Sequence, residues 1–137
     1  MSRGSHLPIT PDEADAAFDE THQQAALTAA ALMGMNNVWY PYVEKAGDRE
    51  LATVRPELRM SAYANHGGVD RTAFELWALA ASIVGRCEYC IASHAKLLRE
   101  AGLSTVQLRD VGRIAAAVNA AALALAVPAA AALPVAA

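Results

Sequence analysis

From Ile114 to Ala137 the chain carries no charged residue, and alanine dominates the run. Alanine loses no side-chain entropy on entering a helix and is the strongest helix former. A helix that is apolar around its circumference must be covered, by lipid or by protein. Asn119 interrupts this run, and Pro128 and Pro134 are expected to stop the helix. The part that remains, Ile114 to Val127, is shorter than the ~20 apolar residues that a bilayer span needs. The expectation is therefore a helix buried in the fold or at a subunit interface, with no membrane.

The remaining sequence also reads as helical. Thr10-Pro11-Asp12-Glu13 has the form of a helix start, with Thr10 as N-cap and Glu13 closing a capping box. That helix is expected to reach Met33 and to end at Gly34. A short helix or turn is expected around Asn37 to Lys45. Another short helix begins at Arg55-Pro56-Glu57-Leu58 and ends near His66-Gly67-Gly68. Asp70 can cap a helix over Arg71 to Val84, stopped or kinked by Gly85. The next spans Cys87 to Ala101 and ends at Gly102. Ser104-Thr105-Val106-Gln107 is a second capping box, opening a long helix to Val127. No run of alternating β-branched residues is bounded by turn signals, so no sheet is expected. The fold class is all-α, one compact domain of about six helices. Residues 1–9 read as a disordered or vector-derived tail, 10–127 as the helical domain and 128–137 as an Ala/Pro tail.

With 137 residues and 55% apolar composition, the chain can bury a core of its own. Its net charge of −3, with scattered basic residues, gives no footprint for nucleic acid. The two cysteines, Cys87 and Cys90, are too few and too close for a structural disulfide framework. The N-terminal residues contain no apolar stretch of the kind that makes a secretory signal. A lone CxxC in such a chain points to redox or metal chemistry in a reducing, cytoplasmic compartment.

On a helix, residues three and four apart share a face. Cys87, Cys90 and His94 therefore line one stripe, a spacing that allows a reversible Cys87–Cys90 disulfide. Gly85 places Cys87 near a helix N-terminus, where the dipole and free N–H groups favour a thiolate. His94 can take the thiol proton. If the chain breaks at Gly85, the helix bearing Glu75 can fold back so that Glu75 fixes the imidazole. Glu75 lies in the apolar context Phe74-Glu75-Leu76-Trp77, and a buried carboxylate needs a partner. Blander readings exist for each residue. The cysteines can be small buried hydrophobes, or zinc ligands with His94. Glu75 can be solvated, and Tyr89, Trp77 and Trp39 can be packing residues. The joint spacing carries the redox reading.

The pattern Glu75, Cys87-x-x-Cys90, His94 resembles the alkyl hydroperoxide reductase D family, within the carboxymuconolactone decarboxylase superfamily. Met33-Gly34-Met35-Asn36-Asn37-Val38, Arg55-Pro56-Glu57-Leu58-Arg59-Met60, Ala64-Asn65 and Phe74-Glu75-Leu76-Trp77 resemble it too, in its order, from Ala25 to Ala126. The resemblance implies an all-helical fold, a homotrimer and reduction of alkyl hydroperoxides at the dithiol. It implies no bound cofactor, dihydrolipoamide on a lipoylated acyltransferase as reductant, and a partner peroxiredoxin, alkyl hydroperoxide reductase C. It implies Cys90 as the cysteine that becomes sulfenic acid, Cys87 as proton donor and resolving thiol, and Glu75 and His94 as the proton relay. Two departures stand out. Tyr89 occupies a position that is often histidine, and a phenol, with a pKa near 10, is no base at neutral pH. The chain also begins later than typical members.

The leading expectation is an antioxidant thiol oxidoreductase. A redox adaptor or sensor using the same disulfide comes second. A carboxymuconolactone decarboxylase-type lyase comes third, because decarboxylation needs no dithiol. A structural zinc module comes last.

Overall fold

Helices account for most of the backbone in the computed structural model, which describes residues 18–131. The described residues contain five α-helices and no strand: α1 Glu20–Ala46, α2 Ser61–Ala64, α3 Arg71–Gly85, α4 Glu88–Glu100 and α5 Thr105–Ala131. Single 3₁₀ turns lie at Leu51–Thr53 and His66–Gly68. The all-α expectation holds. The helix start expected at Thr10 lies outside the described residues.

The first helix differs from the sequence expectation. Asp19 caps it, its carboxylate accepting the His22 N–H at 2.9 Å. It then runs through Gly34 and Pro41 as one helix, where the sequence suggested a stop at Gly34 and a separate short helix from Asn37 to Lys45. A Cβ on Gly34 would meet nothing within 4 Å and its φ is not positive, so the position neither caps the helix nor requires glycine. The end comes at Gly47, which is left-handed (φ 63°) and donates its N–H to Glu44 O. Ala25, Ala29, Leu32 and Met33 form the buried stripe of α1, packed on Phe74 and Ala78 of α3.

The helix expected from Arg55 is also displaced. Residues 55–60 are non-helical, and the short helix begins at Ser61. Pro56 explains part of this, since it disfavours helical backbone at the residue before it. The His66–Gly68 turn then presses against α1. Gly67 has φ 63°, and a Cβ there would stand 2.9 Å from the Ala25 Cβ.

α3 and α4 form the antiparallel pair that matters most. Asp70 caps α3, accepting the Ala73 N–H at 3.2 Å, as expected. Gly85 is the last residue of α3, while the left-handed C-cap falls on Arg86 (φ 56°). The reason is a close approach: a Cβ on Gly85 would overlap the Asn37 side chain at 2.0 Å. Asn37 Nδ2 in turn donates to the Ala81 carbonyl at 3.1 Å, tying α1 to α3. The helix reversal brings α4 back along α3, and α5 packs on the other side of α3.

The Ser104 capping box forms in both directions, with Gln107 N–H to Ser104 Oγ at 3.2 Å and Ser104 N–H to Gln107 Oε1 at 2.9 Å. α5 passes through Pro128 to Ala131, so that proline does not end the helix as expected. The segment Thr105–Val127 is long and apolar enough to cross a membrane by length and composition alone, against the expectation that the apolar helix would be too short. Ala115 is its one buried side chain among residues 105–127, and Ile114, Val118, Leu123, Leu125 and Val127 are exposed in the single chain.

Candidate active site

The α3–α4 turn dictates where the cysteines sit. Cys87 is the N-cap of α4, with extended backbone, and its Sγ accepts the Cys90 N–H at 3.3 Å. Cysteine here takes the place of the usual Ser, Thr or Asp cap. Cys90, His94 and Leu98 then repeat every four residues along α4 and form its buried face. The Sγ atoms of Cys87 and Cys90 are joined in a disulfide. Both residues are almost fully buried.

Glu75 is one of five buried residues on α3 and is 2% exposed. Its Oε2 meets His94 Nδ1 at 2.6 Å, the pairing expected from the sequence. Burial favours the neutral acid, but hydrogen bonds from His94 and Tyr63 outweigh it and hold the carboxyl below its usual range. With the carboxylate ionised, Nδ1 carries the proton and donates it. The far ring nitrogen, Nε2, lies 3.1 Å from Met33 Sδ of α1.

Three contacts at the site were not anticipated from sequence. Tyr63 Oη donates to Glu75 Oε1 at 2.5 Å. Its own pKa is pushed well above 10, by burial first and then by the adjacent carboxylate. Met33 and Asn36 stand in motifs that the resemblance singles out, but no spacing argument aimed them at the dithiol. Cys87 Sγ lies 3.8 Å from the Asn36 carbonyl. Tyr63 sits directly between Ala62 and Ala64, with no adjacent polar residue to mark it. An aromatic residue isolated among small ones is the only available signal, and it is weak.

Tyr89 behaves differently from the other sequence candidates. It is 58% exposed and makes no hydrogen bond to the Glu75–His94 pair. Its ring stacks on Tyr40 of α1, with centroids 4.3 Å apart. Between this stack and Tyr63 opens a cleft of about 350 Å³, lined by Asn36, Met60, Ser93, Cys90 and His94 among others. Cys90 faces this cleft and Cys87 does not line it. Trp77 packs edge-on against Phe18 and His22, and Trp39 against Tyr42, as expected of packing residues. No group of three or more His, Cys, Asp or Glu suited to a metal ion occurs among the described residues.

The arrangement combines a disulfide-bonded cysteine pair, an imidazole one helical turn beyond the cysteine facing the cleft, and a buried carboxylate hydrogen-bonded to that imidazole. Chemically this suits thiolate formation and proton delivery at the wall of an open cleft.

Residues 47–133 match the model of the carboxymuconolactone decarboxylase family. The chain is 46% identical over 114 residues to alkyl hydroperoxide reductase AhpD of Maricaulis maris (strain MCS10), covering 83% of this chain and 65% of that protein. It is 48% identical over 101 residues to alkyl hydroperoxide reductase AhpD of Bradyrhizobium sp. (strain BTAi1 / ATCC BAA-1182), covering 74% and 55%. The protein of the same name from Brucella canis (strain ATCC 23365 / NCTC 10854 / RM-666) is 40% identical over 113 residues, covering 82% and 64%. The chain thus spans between half and two thirds of the length of these curated relatives.

Proposed function

The chain belongs to the carboxymuconolactone decarboxylase family, and on that premise we propose that it is an antioxidant thiol oxidoreductase that reduces alkyl hydroperoxides. The observation that carries this reading is the Glu75–His94 pair, joined at 2.6 Å and buried beside a disulfide-forming cysteine pair. The names of the relatives point the same way.

The cycle begins with the reduced pair. His94 takes the Cys90 proton, and the Cys90 thiolate attacks the terminal oxygen of ROOH. The O–O bond breaks, sulfur gains the oxygen as sulfenic acid, and the leaving alkoxide takes a proton to become ROH. The Cys87 thiol then attacks the sulfenic sulfur, expelling water and forming the Cys87–Cys90 disulfide. An external dithiol restores both thiols. Cys90 takes the sulfenic role because it faces the cleft beside His94, while Cys87 lies behind it as the resolving thiol. The thiol and imidazole need no bound cofactor. Dihydrolipoamide is the proposed reductant, with a lipoylated acyltransferase and a peroxiredoxin, alkyl hydroperoxide reductase C, as partners. A homotrimer in the cytoplasm completes the reading.

The test is a peroxidase assay with reduced lipoamide and an organic hydroperoxide. Turnover in the wild type that is abolished in Cys90→Ser supports the proposal. A disulfide that forms without turnover points instead to a redox adaptor.

A further inference from the structure

We propose that Tyr63 is a positioning residue: its hydroxyl holds Glu75 as an oriented anion, leaving one carboxylate oxygen for His94, and so sets the acid limit of the dithiol's reactivity. The last step rests on the dithiol-enzyme reading; the effect on Glu75 does not.

The argument begins with the carboxylate. Glu75 has two oxygens, and each has one side-chain partner: Oε1 accepts from Tyr63 and Oε2 pairs with His94. The two partners come from different elements, α2 and α4, while Glu75 itself is on α3. A carboxylate held at one oxygen can pivot about its side-chain torsions, whereas held at both it presents Oε2 in one direction. The Tyr63 ring is fixed independently of its hydroxyl, edge-on against Phe74 at 5.6 Å and tilted against His94 at 6.3 Å. Removing the oxygen alone therefore leaves the packing in place.

The electrostatics agree. Burial is the largest influence on Glu75 and acts against its charge. The hydrogen bonds from His94 and Tyr63 reverse that outcome, assisted by Arg71 one turn earlier on α3. Glu100 of α4 lines a small cleft together with Arg71 and Glu75. α1 contributes Met33, which is uncharged and lies behind His94. Deleting one of the two hydrogen bonds leaves burial less opposed, so the Glu75 carboxyl must then hold its proton to higher pH. A protonated Glu75 no longer orients the imidazole by charge.

The test reads Glu75 directly. The infrared band of its protonated carboxyl, assigned by its absence in Glu75→Gln, is followed against pH in the oxidised wild type and in Tyr63→Phe. The midpoint should rise by about one pH unit or more in Tyr63→Phe, where each unit corresponds to ~1.4 kcal/mol. A variant with 3-fluorotyrosine at position 63, whose more acidic phenol donates more strongly, should move the midpoint down. That second variant decides the matter alone should Tyr63→Phe fail to fold. On the reduced protein, the acid side of the cysteine alkylation profile should follow the same direction. An unchanged or lowered midpoint in Tyr63→Phe, or an unchanged one with fluorotyrosine, overturns the inference. Peroxide turnover is measured in parallel. Shifted midpoints without wild-type turnover would uphold Tyr63 and remove the peroxidase reading.

Discussion

At the scale of single residues, the site depends on how a small number of protons are held. A free thiol titrates near 8.5, so only a few per cent is thiolate at neutral pH. On the proposed mechanism, an imidazole one helical turn away, itself fixed by a carboxylate at 2.6 Å, shifts that balance. His94→Ala should raise the pH at which the reactive cysteine is alkylated by about one unit, since that needs ~1.4 kcal/mol of lost stabilisation. Glu75→Gln should raise it less, and the double variant should fall short of the sum, because the two act as one unit. Glu75 also has a consequence for stability. Its carboxyl titrates below the ordinary range in the folded chain, so its contribution is fully present above the unfolded value of about 4.3 and is lost as pH falls through the folded value. Chemical unfolding of the wild type should therefore show a fall in stability over that acid window, and Glu75→Gln should flatten it. The Glu75–His94 pairing was legible in the sequence because an acid in an apolar run needs a partner, and the break at Gly85 folds α3 onto α4. Tyr63 was not legible, because its contact depends on where a four-residue helix is seated, which no local pattern encodes.

At the scale of elements, the turn between α3 and α4 is the joint that aims the cysteines. Arg86 adopts left-handed backbone, which costs a non-glycine residue about 1 kcal/mol. Gly85 does not relieve this, since its missing Cβ is needed against Asn37. Gly85→Ala should destabilise the fold by about 1–3 kcal/mol through overpacking, and Arg86→Gly should stabilise it by a smaller amount. Denaturant midpoints measure both, and equal effects from the two substitutions would contradict this account of the turn. The caps at Asp70 and Ser104 and the cysteine-bearing helix were readable from sequence, because each is specified by residues within one turn of the boundary. α1 was not. Gly34 and Pro41 look like stops, yet the buried stripe of Ala25, Ala29, Leu32 and Met33 and the Asn37 tie to Ala81 hold the helix through both. Tertiary packing there outweighs local propensity.

At the scale of the whole molecule, α5 is the unfinished part. Its exposed side chains include Val106, Ile114, Val118, Leu123, Leu125 and Val127, and a groove of about 570 Å³ runs beside it, lined by Trp77, Ala81, Val84 and Ala122. On the reading proposed above, this apolar surface is the face that a partner subunit covers. On the proposed homotrimer, sedimentation at micromolar concentration should give three copies, and Val118→Glu should shift the population towards monomer while preserving helicity. A monomeric wild type, or one that partitions into lipid vesicles, would contradict subunit burial. The central claim is narrower and concerns the dithiol itself. Its most direct measurement is a single turnover in which fully reduced protein meets one equivalent of an organic hydroperoxide. The account predicts one equivalent of alcohol, loss of both thiols and a two-hydrogen decrease in mass, with Cys87→Ser instead accumulating sulfenic acid at Cys90. Alcohol formation unchanged in Cys90→Ser, or no alcohol from the wild type, would contradict it.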